Sequence, residues 1–228
     1  MGSVVFHGLA LDTTFIAVKE QRYSTGIPIQ FILLHNNEKT AAAVTQTAAE
    51  MFGIDFLQII NGENRLIEFV SGKMRYRFDP NRIFSDDGII ATLRLHSQYT
   101  ESAFQQVSQF RDSILGLLAS QKTIVSVHNN TNGAFSPLNF QKSKTGLVHQ
   151  NPAYDIDDFI ITTDSTLFEK IKMRGFNVVL EFSNQLTDDG SLSIYCSRLG
   201  IPYINIEAEH GHEKVQAAML QAVIEILK

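Results

Sequence analysis

The sequence predicts a mixed α/β fold in which a mostly parallel central sheet is flanked by helices on both faces. Short apolar runs rich in Val, Ile and Phe alternate along the chain with stretches of helical periodicity. The 228 residues are 44% hydrophobic and 19% charged, as in an ordinary globular domain with a sizeable core. No repeat, low-complexity segment or long linker divides the chain, so we expect a single domain over residues 1–228.

Strands are predicted where five or six mainly apolar or β-branched residues stand between turn residues. They are Ile29–Leu34, Phe56–Ile60, Leu66–Val70, Met74–Phe78, Thr123–Val127, Asp158–Thr162, Asn177–Phe182 and Pro202–Glu207. Helices are predicted where apolar residues recur every three or four positions. They are Thr40–Phe52, Ala103–Ser120, Thr166–Arg174, Ser191–Leu199 and Glu213–Leu227.

Charge and composition exclude several classes of partner. The formal net charge of −5 leaves no surplus of basic residues to displace counterions, which argues against nucleic acid as a partner. No apolar run approaches the roughly 18 residues of a membrane span. The N-terminus lacks the basic region and long apolar core of a signal peptide. These features favour the cytoplasm, and the periplasm or secretion stays open if a leader has been removed.

Polar residues that could carry chemistry fall at or just after the ends of predicted strands. His35, His128 and Glu207 each follow or end an apolar run. In open α/β sheets, sites gather at the carboxyl ends of the strands. Three separate strand ends could therefore converge on one crevice.

The stretch FILLHNNE contains a histidine and a carboxylate three residues apart, at the junction of a strand and a helix. His35 and Glu38 could supply two metal ligands from one turn. His128, 93 residues beyond His35, could supply the third. Two imidazoles and a carboxylate are a common catalytic zinc set, with one position left for water. The sequence thus predicts one Zn²⁺ per chain.

A further segment, RYRFDPNRIFSDDG, relates this pattern to a known protein family. The chain carries His35-Asn36-Asn37-Glu38, then Asp79-Pro80-Asn81-Arg82-Ile83-Phe84, then His128, then Glu207, in that order. This order resembles the zinc carboxypeptidase superfamily, and most closely its aspartoacylase and succinylglutamate desuccinylase branch. We expect no counterpart of the C-terminal β domain of aspartoacylases, because the residues after Glu207 read as one helix.

The resemblance implies roles for the residues at the matching positions. His35, Glu38 and His128 would bind zinc. A glutamate late in the chain would be the general base, and Glu207 fits better than Glu209 because an apolar residue follows it. Both lie on one face of a strand, so spacing alone leaves the choice open.

The same resemblance implies how a substrate is held. Asn81 and Arg82 would bind its free carboxylate, since a guanidinium forms a bidentate pair with this group. An earlier arginine would stabilise the oxyanion. Arg75 is the first candidate and Arg77 the second.

Together these residues imply a zinc-dependent hydrolase that cleaves an amide bond adjacent to a free carboxylate. Its substrate would be a small carboxylate-bearing molecule, either a peptide C-terminus or an N-acyl amino acid. The alternative is a non-catalytic protein that keeps the fold and binds zinc or a carboxylate. We interpret His210 and His212 as a solvated loop, and Cys196 as a small buried hydrophobe.

Overall fold

The computed structural model describes residues 2–119, 122–182 and 185–228 of the chain. Its main feature is a nine-stranded mixed sheet, and a two-stranded hairpin lies beside it. The strands are β1 (Ser3–Leu11), β2 (Thr14–Arg22), β3 (Ile29–Leu33), β4 (Asp55–Ile60), β5 (Ile67–Ser71), β6 (Met74–Phe78), β7 (Thr123–Asn130), β8 (Gly146–His149), β9 (Phe159–Thr162), β10 (Val178–Glu181) and β11 (Tyr203–Glu209).

The helices lie on both faces of the large sheet, as predicted. They are α1 (Lys39–Phe52), α2 (Asp86–His96), α3 (Glu101–Leu117), α4 (Pro137–Ser143), α5 (Ser165–Met173), α6 (Leu192–Arg198) and α7 (Glu213–Leu227), with a short 3₁₀ turn at Pro80–Arg82. Within the described ranges, none of them is long and apolar enough to cross a bilayer.

The strand order is β1-β2-β4-β3-β7-β11-β9-β10-β8. The four central strands β4, β3, β7 and β11 are parallel to one another. On either side of them, β2 is antiparallel to β4 and β9 is antiparallel to β11. Parallel central strands end at the same edge of the sheet. The turn after β3 and the ends of β7 and β11 are therefore brought together there.

Strand β3 shows why the sheet forms two cores. Its side chains alternate, so Ile29, Phe31 and Leu33 pack with helices α1, α5 and α7 on one face. Ile32 and Leu34 pack toward α2, α3, α6 and the β5–β6 hairpin on the other face. A strand buried on both faces reads as a continuous apolar run, which is how it appears in the sequence.

Several elements differ from the sequence prediction. Strands β1, β2 and β8 and helices α2 and α4 were not predicted. The β1–β2 hairpin forms one edge of the sheet and exposes Phe6 and Phe15, so its pattern of buried positions is weak. Gly88 in the first turn of α2 obscured a helix that Ser85 caps. Ser120, the predicted end of the helix that starts at Ala103, lies outside the described residues.

Candidate metal centre and catalytic cavity

The turn between β3 and α1 presents the first two candidate ligands. All five residues of β3 are buried, which fixes the strand in the centre of the sheet. The Glu38 N–H donates to the carbonyl of His35 at 3.2 Å, and Glu38 stands immediately before the first turn of α1. This tight turn brings the two side chains together although neither belongs to a regular element.

The third candidate ligand, His128, lies inside β7 and not at its end. The strand continues to Asn130 because β11 pairs with it over its whole length. Its backbone position is fixed further by Gln216 of α7, whose amide donates to the His128 carbonyl at 2.8 Å. The neighbouring Asn129 side chain accepts from Ala41 N–H, and this bond ties β7 to the start of α1.

The structure brings the three predicted ligands together in a buried cluster. His35 Nδ1 lies 3.0 Å from Glu38 Oε1, and His128 Nδ1 lies 3.0 Å from Glu38 Oε2. The two Nδ1 atoms are 3.3 Å apart. Ligands about 2.0–2.1 Å from one tetrahedral ion lie about 3.3 Å from one another. The donor set and its spacing therefore fit a zinc ion.

The other nitrogen of each imidazole has a fixed partner, as metal-bound histidines usually do. His35 Nε2 lies 2.7 Å from Asp79 Oδ1, and His128 Nε2 lies 2.7 Å from Ser126 Oγ. In the tautomer that carries its proton on Nε2, each imidazole donates to its partner, Asp79 or Ser126. The Nδ1 lone pairs of both imidazoles then face the cluster. Sequence reasoning left both partners unassigned, although each lies in a motif that contains a predicted site residue.

The charges around the cluster favour ionised carboxylates. Burial alone would raise the pKa of Glu38, but the adjacent His128 and His35 outweigh it and hold the pKa far below its usual range. Burial would likewise raise the pKa of Asp79, whereas His35 and Arg65 hold it low. Burial lowers the pKa of His35, but Asp79 and Glu38 raise it more. An anionic, buried, preformed site of this kind suits a divalent cation.

Glu207 lies beside the cluster because of the strand register. Parallel pairing of β7 and β11 sets Glu207 directly opposite His128. Its side chain is buried, and its Oε1 accepts a hydrogen bond from the Asn205 amide at 2.9 Å. Burial raises the pKa of Glu207 and the charge of Glu38 adds to this, while His128 opposes it. A carboxylate with a raised pKa, next to a candidate metal, can accept and return a proton.

Asn81 and Arg82 line the same cavity of about 550 Å³ as the three ligands and Glu207. The Asp79 carboxylate holds the turn by accepting from Asn81 N–H at 2.8 Å, and Asn81 Oδ1 accepts from Leu192 N–H. The Arg82 side chain is 41% exposed and is 3.6 Å from Asp189. A ligand that displaces the half-exposed carboxylate of Asp189 could therefore bind the Arg82 guanidinium.

A close approach of two glycines shapes this wall of the cavity. Gly190 has a φ of +77°, and a Cβ built on Gly88 would lie 2.4 Å from the Gly190 Cα. Phe84 N–H donates to the Gly190 carbonyl at 2.9 Å, which joins the segment before α6 to the Arg82 turn. Any side chain at either position would push these segments apart.

The predicted oxyanion arginine is not in the cavity. Alternation along β6 turns Tyr76 and Phe78 into the core and leaves Arg75 and Arg77 exposed. The Arg75 guanidinium contacts Glu68 across the hairpin, away from the site. Arg75, the first candidate, and Arg77 therefore do not line the cavity in which the other predicted site residues meet.

Arg65 is the arginine that the structure places at the cluster. It contacts Glu38 Oε1 at 3.1 Å and Asp79 Oδ2 at 3.3 Å, and half of its side chain remains exposed to the cavity. Sequence reasoning missed it. Arg65 lies in the turn between β4 and β5. This position could have indicated a site residue, since the other site residues also follow or end strands.

Two other carboxylates lie outside the ligand cluster, one of them in the cavity wall and one outside the cavity. Glu209, the alternative base, does not line this cavity and lies near Asp155 and Asp157. Glu181, which sequence reasoning did not single out, is buried in the cavity wall, and the Ser193 hydroxyl donates to it at 2.5 Å. Burial raises the pKa of Glu181, and the charge of Asp189 adds to this.

Comparison with solved structures relates the fold of the chain to a known fold. No protein-family model and no curated protein matches the sequence. Among solved structures, thrombin-activatable fibrinolysis inhibitor matches 100% of this chain and 71% of its own at 13% identity, with a TM-score of 0.55. The bovine form, in complex with tick carboxypeptidase inhibitor, matches 100% and 88% at 12% identity, with a TM-score of 0.50.

An aspartoacylase family protein from Mesorhizobium loti matches 99% of this chain and 67% of its own at 13% identity, with a TM-score of 0.49. At such identities the likeness concerns the fold. The solved structures with which it is shared are carboxypeptidase-like. The chain therefore has a carboxypeptidase-like fold, as its ordered motifs predicted.

Proposed function

We propose that this protein is a zinc-dependent hydrolase that cleaves an amide bond adjacent to a free carboxylate. One observation carries the proposal: a buried cluster of two histidines and a glutamate, a carboxylate with a raised pKa and a partly exposed arginine share one cavity. The carboxypeptidase-like fold supports a metallohydrolase. The substrate and the individual roles below belong to the proposal.

His35, Glu38 and His128 would hold the zinc ion. When bound, zinc polarises a carbonyl group and lowers the pKa of water toward neutrality. Asp79 and Ser126 orient the two imidazoles through their Nε2 atoms. Because both imidazoles and Glu38 are already aligned, little reorganisation would accompany metal binding.

Glu207 would act first as general base and then as general acid. One of its oxygens is held by Asn205, so the carboxylate has a fixed orientation. Its raised pKa suits both steps, because a proton taken from water can be passed on to the leaving amine. The register of β11 sets Glu207 opposite His128, a proposed ligand, and this supports Glu207 over Glu209 as the base.

Asn81 and Arg82 would recognise the free carboxylate of the substrate. The guanidinium offers two parallel donors to that group. Asp189 is the anion that Arg82 contacts in this structure, and the substrate carboxylate would compete with it.

The inner wall of the cavity suggests which side chain the substrate carries there. Phe140 and Ile161 are apolar, and Glu181 is a buried acid with no basic partner within 4.0 Å in the described part of the chain. A second buried carboxylate would be repelled at this position. We therefore expect neutral or cationic side chains to be accepted and acidic ones to be disfavoured.

A substrate panel tests the proposed function directly. We expect N-acyl amino acids or peptides with a free C-terminal carboxylate to be hydrolysed about 10- to 100-fold faster than the same compounds as C-terminal amides, the effect of one lost contact to a charged group. Chelation should abolish the activity and added zinc should restore it. The measurement is kcat/KM for matched acid and amide pairs, with acidic, neutral and basic side chains.

Two results of the panel would contradict the proposal. One is equal rates on acids and amides in the wild type. The other is an acid preference that survives in Arg82→Ala, because recognition would then lie elsewhere.

Arg65 and Arg75 allow a matched comparison of the oxyanion role. We expect Arg65→Ala to lower kcat by about 10²–10³-fold with a smaller change in KM, because the developing negative charge loses the arginine that contacts the cluster. Arg75→Ala should retain wild-type kcat, since Arg75 is on the exposed hairpin. Steady-state kinetics on both variants would check this.

Zinc content must be measured in parallel, because Arg65 also contacts Glu38 and Asp79. A variant that keeps its zinc and loses kcat would support the role. A large loss in Arg75→Ala together with a normal Arg65→Ala would overturn the reassignment.

A further inference from the structure

A second group of carboxylates lies outside the catalytic cavity. Asp155 and Asp157 belong to the loop before β9, and Glu209 ends β11, two residues past Glu207. Each offers a carboxylate oxygen, and these oxygens all lie within 4.8 Å of one another. Three anions at this separation repel strongly unless a positive charge lies among them.

Two oxygen atoms of this group are buried without a partner. Asp157 is only 2% exposed, and its Oδ1 accepts no hydrogen bond, while its Oδ2 accepts from Gly133 N–H. Glu209 Oε1 is likewise buried and unpartnered. Buried carboxylate oxygens are nearly always hydrogen-bonded or bound to a cation, because burying an uncompensated charge is very unfavourable.

The nearby His212 offsets the negative charge of the cluster only in part, because it lowers the pKa of Glu209 less than burial and the acidic neighbours raise it. His212 Nδ1 is 2.8 Å from Asp158 Oδ2, and its Nε2 is 3.9 Å from Glu209, too far for a hydrogen bond. In the described ranges, no lysine or arginine nitrogen lies within 4.0 Å of Asp155, Asp157 or Glu209. Burial and the charges of Asp155 and its acidic neighbours raise the pKa of Glu209, in agreement with an excess of negative charge.

We propose that Asp155, Asp157 and Glu209 form a second cation site, for a hard divalent ion such as Ca²⁺. All three candidate ligand atoms are carboxylate oxygens. Ca²⁺ prefers oxygen ligands, whereas zinc also binds nitrogen and sulfur. Calcium also tolerates irregular coordination, which suits ligands from a loop and a strand end.

This site would stabilise one wall of the catalytic cavity. Asp157 holds the 131–136 loop through Gly133 N–H, and its carbonyl accepts from the Asn130 amide at 3.5 Å. Thr131, Ala134 and Phe135 of that loop line the cavity. A cation that fixes Asp157 against Glu209 therefore also fixes the loop.

Calcium titration of the zinc-loaded protein tests the proposal, because zinc then occupies the first site. We expect calcium at about a hundredfold excess over its Kd to raise Tm by about 5–10 °C. Calorimetric titration should show about one calcium per chain, and magnesium should bind more weakly because it demands stricter geometry.

The double variant Asp157→Asn/Glu209→Gln separates a cation site from a merely structural cluster. It should lose the calcium response and, because the repulsion is removed, have a calcium-free Tm no lower than that of the wild type. Asp87→Asn, in the exposed first turn of α2, should keep the full response. No Tm shift and no calcium heat in the wild type would overturn the proposal, as would an undiminished response in the double variant.

Discussion

Replacing Glu207 by glutamine should lower kcat by about 10²–10⁴-fold while leaving zinc content and KM close to those of the wild type. The range is that of positioned general acid–base groups. Glutamine keeps the volume of the side chain and an oxygen for the Asn205 hydrogen bond, but it cannot take up a proton from water. The register of β7 and β11 sets this carboxylate opposite His128, so its loss should affect chemistry rather than folding.

Steady-state kinetics and metal analysis on the same preparation would check this result. Glu209→Gln is the matched control, because the sequence could not decide between Glu207 and Glu209 as the general base. A larger loss of kcat in Glu209→Gln than in Glu207→Gln would contradict our assignment of the base. A wild type that binds zinc tightly but hydrolyses none of the panel would favour the non-catalytic alternative.

Removal of His128 should have the largest effect on metal binding. We expect the wild type to contain about one zinc per chain and His128→Ala to retain less than about a tenth of that after dialysis, because a three-ligand catalytic site would lose one ligand. The Glu38 oxygen that contacts His128 would also lose a partner. Mass spectrometry for metals on protein purified without chelators would measure this.

Two further variants sharpen the metal experiment. Asp79→Asn should weaken zinc affinity by about 10- to 100-fold, because it loosens the orientation of His35 without removing a ligand. His96→Ala, at the end of α2, should keep a full zinc complement. Zinc that persists in His128→Ala, or a wild type that binds none even after incubation with it, would contradict the metal site and with it the proposed hydrolase.

The fold, and the meeting of the three candidate ligands in one cluster, were largely predictable because they depend on local patterns. The apolar run that contains β3 ends directly before His35, and a helix starts directly after Glu38, so the turn that pairs them is visible in the sequence. The order of the later motifs then indicated the carboxypeptidase-like fold that the comparisons show. The edge hairpin β1–β2 was missed, because a strand pair with one open edge leaves fewer buried positions to detect.

The arginine at the site and the partners of the ligands were decided only by tertiary structure. Arg75 looked correct in sequence, but alternation along β6 leaves it exposed, whereas Arg65 reaches the cluster from the turn after β4. Sequence could not separate Glu207 from Glu209 because both lie on one face of β11; pairing with β7 placed the first opposite His128. The sequence by itself determined which groups could ligate a metal and in what order they occur. Which charges meet depends on strand register and on contacts between distant segments, and these exist only in the folded chain.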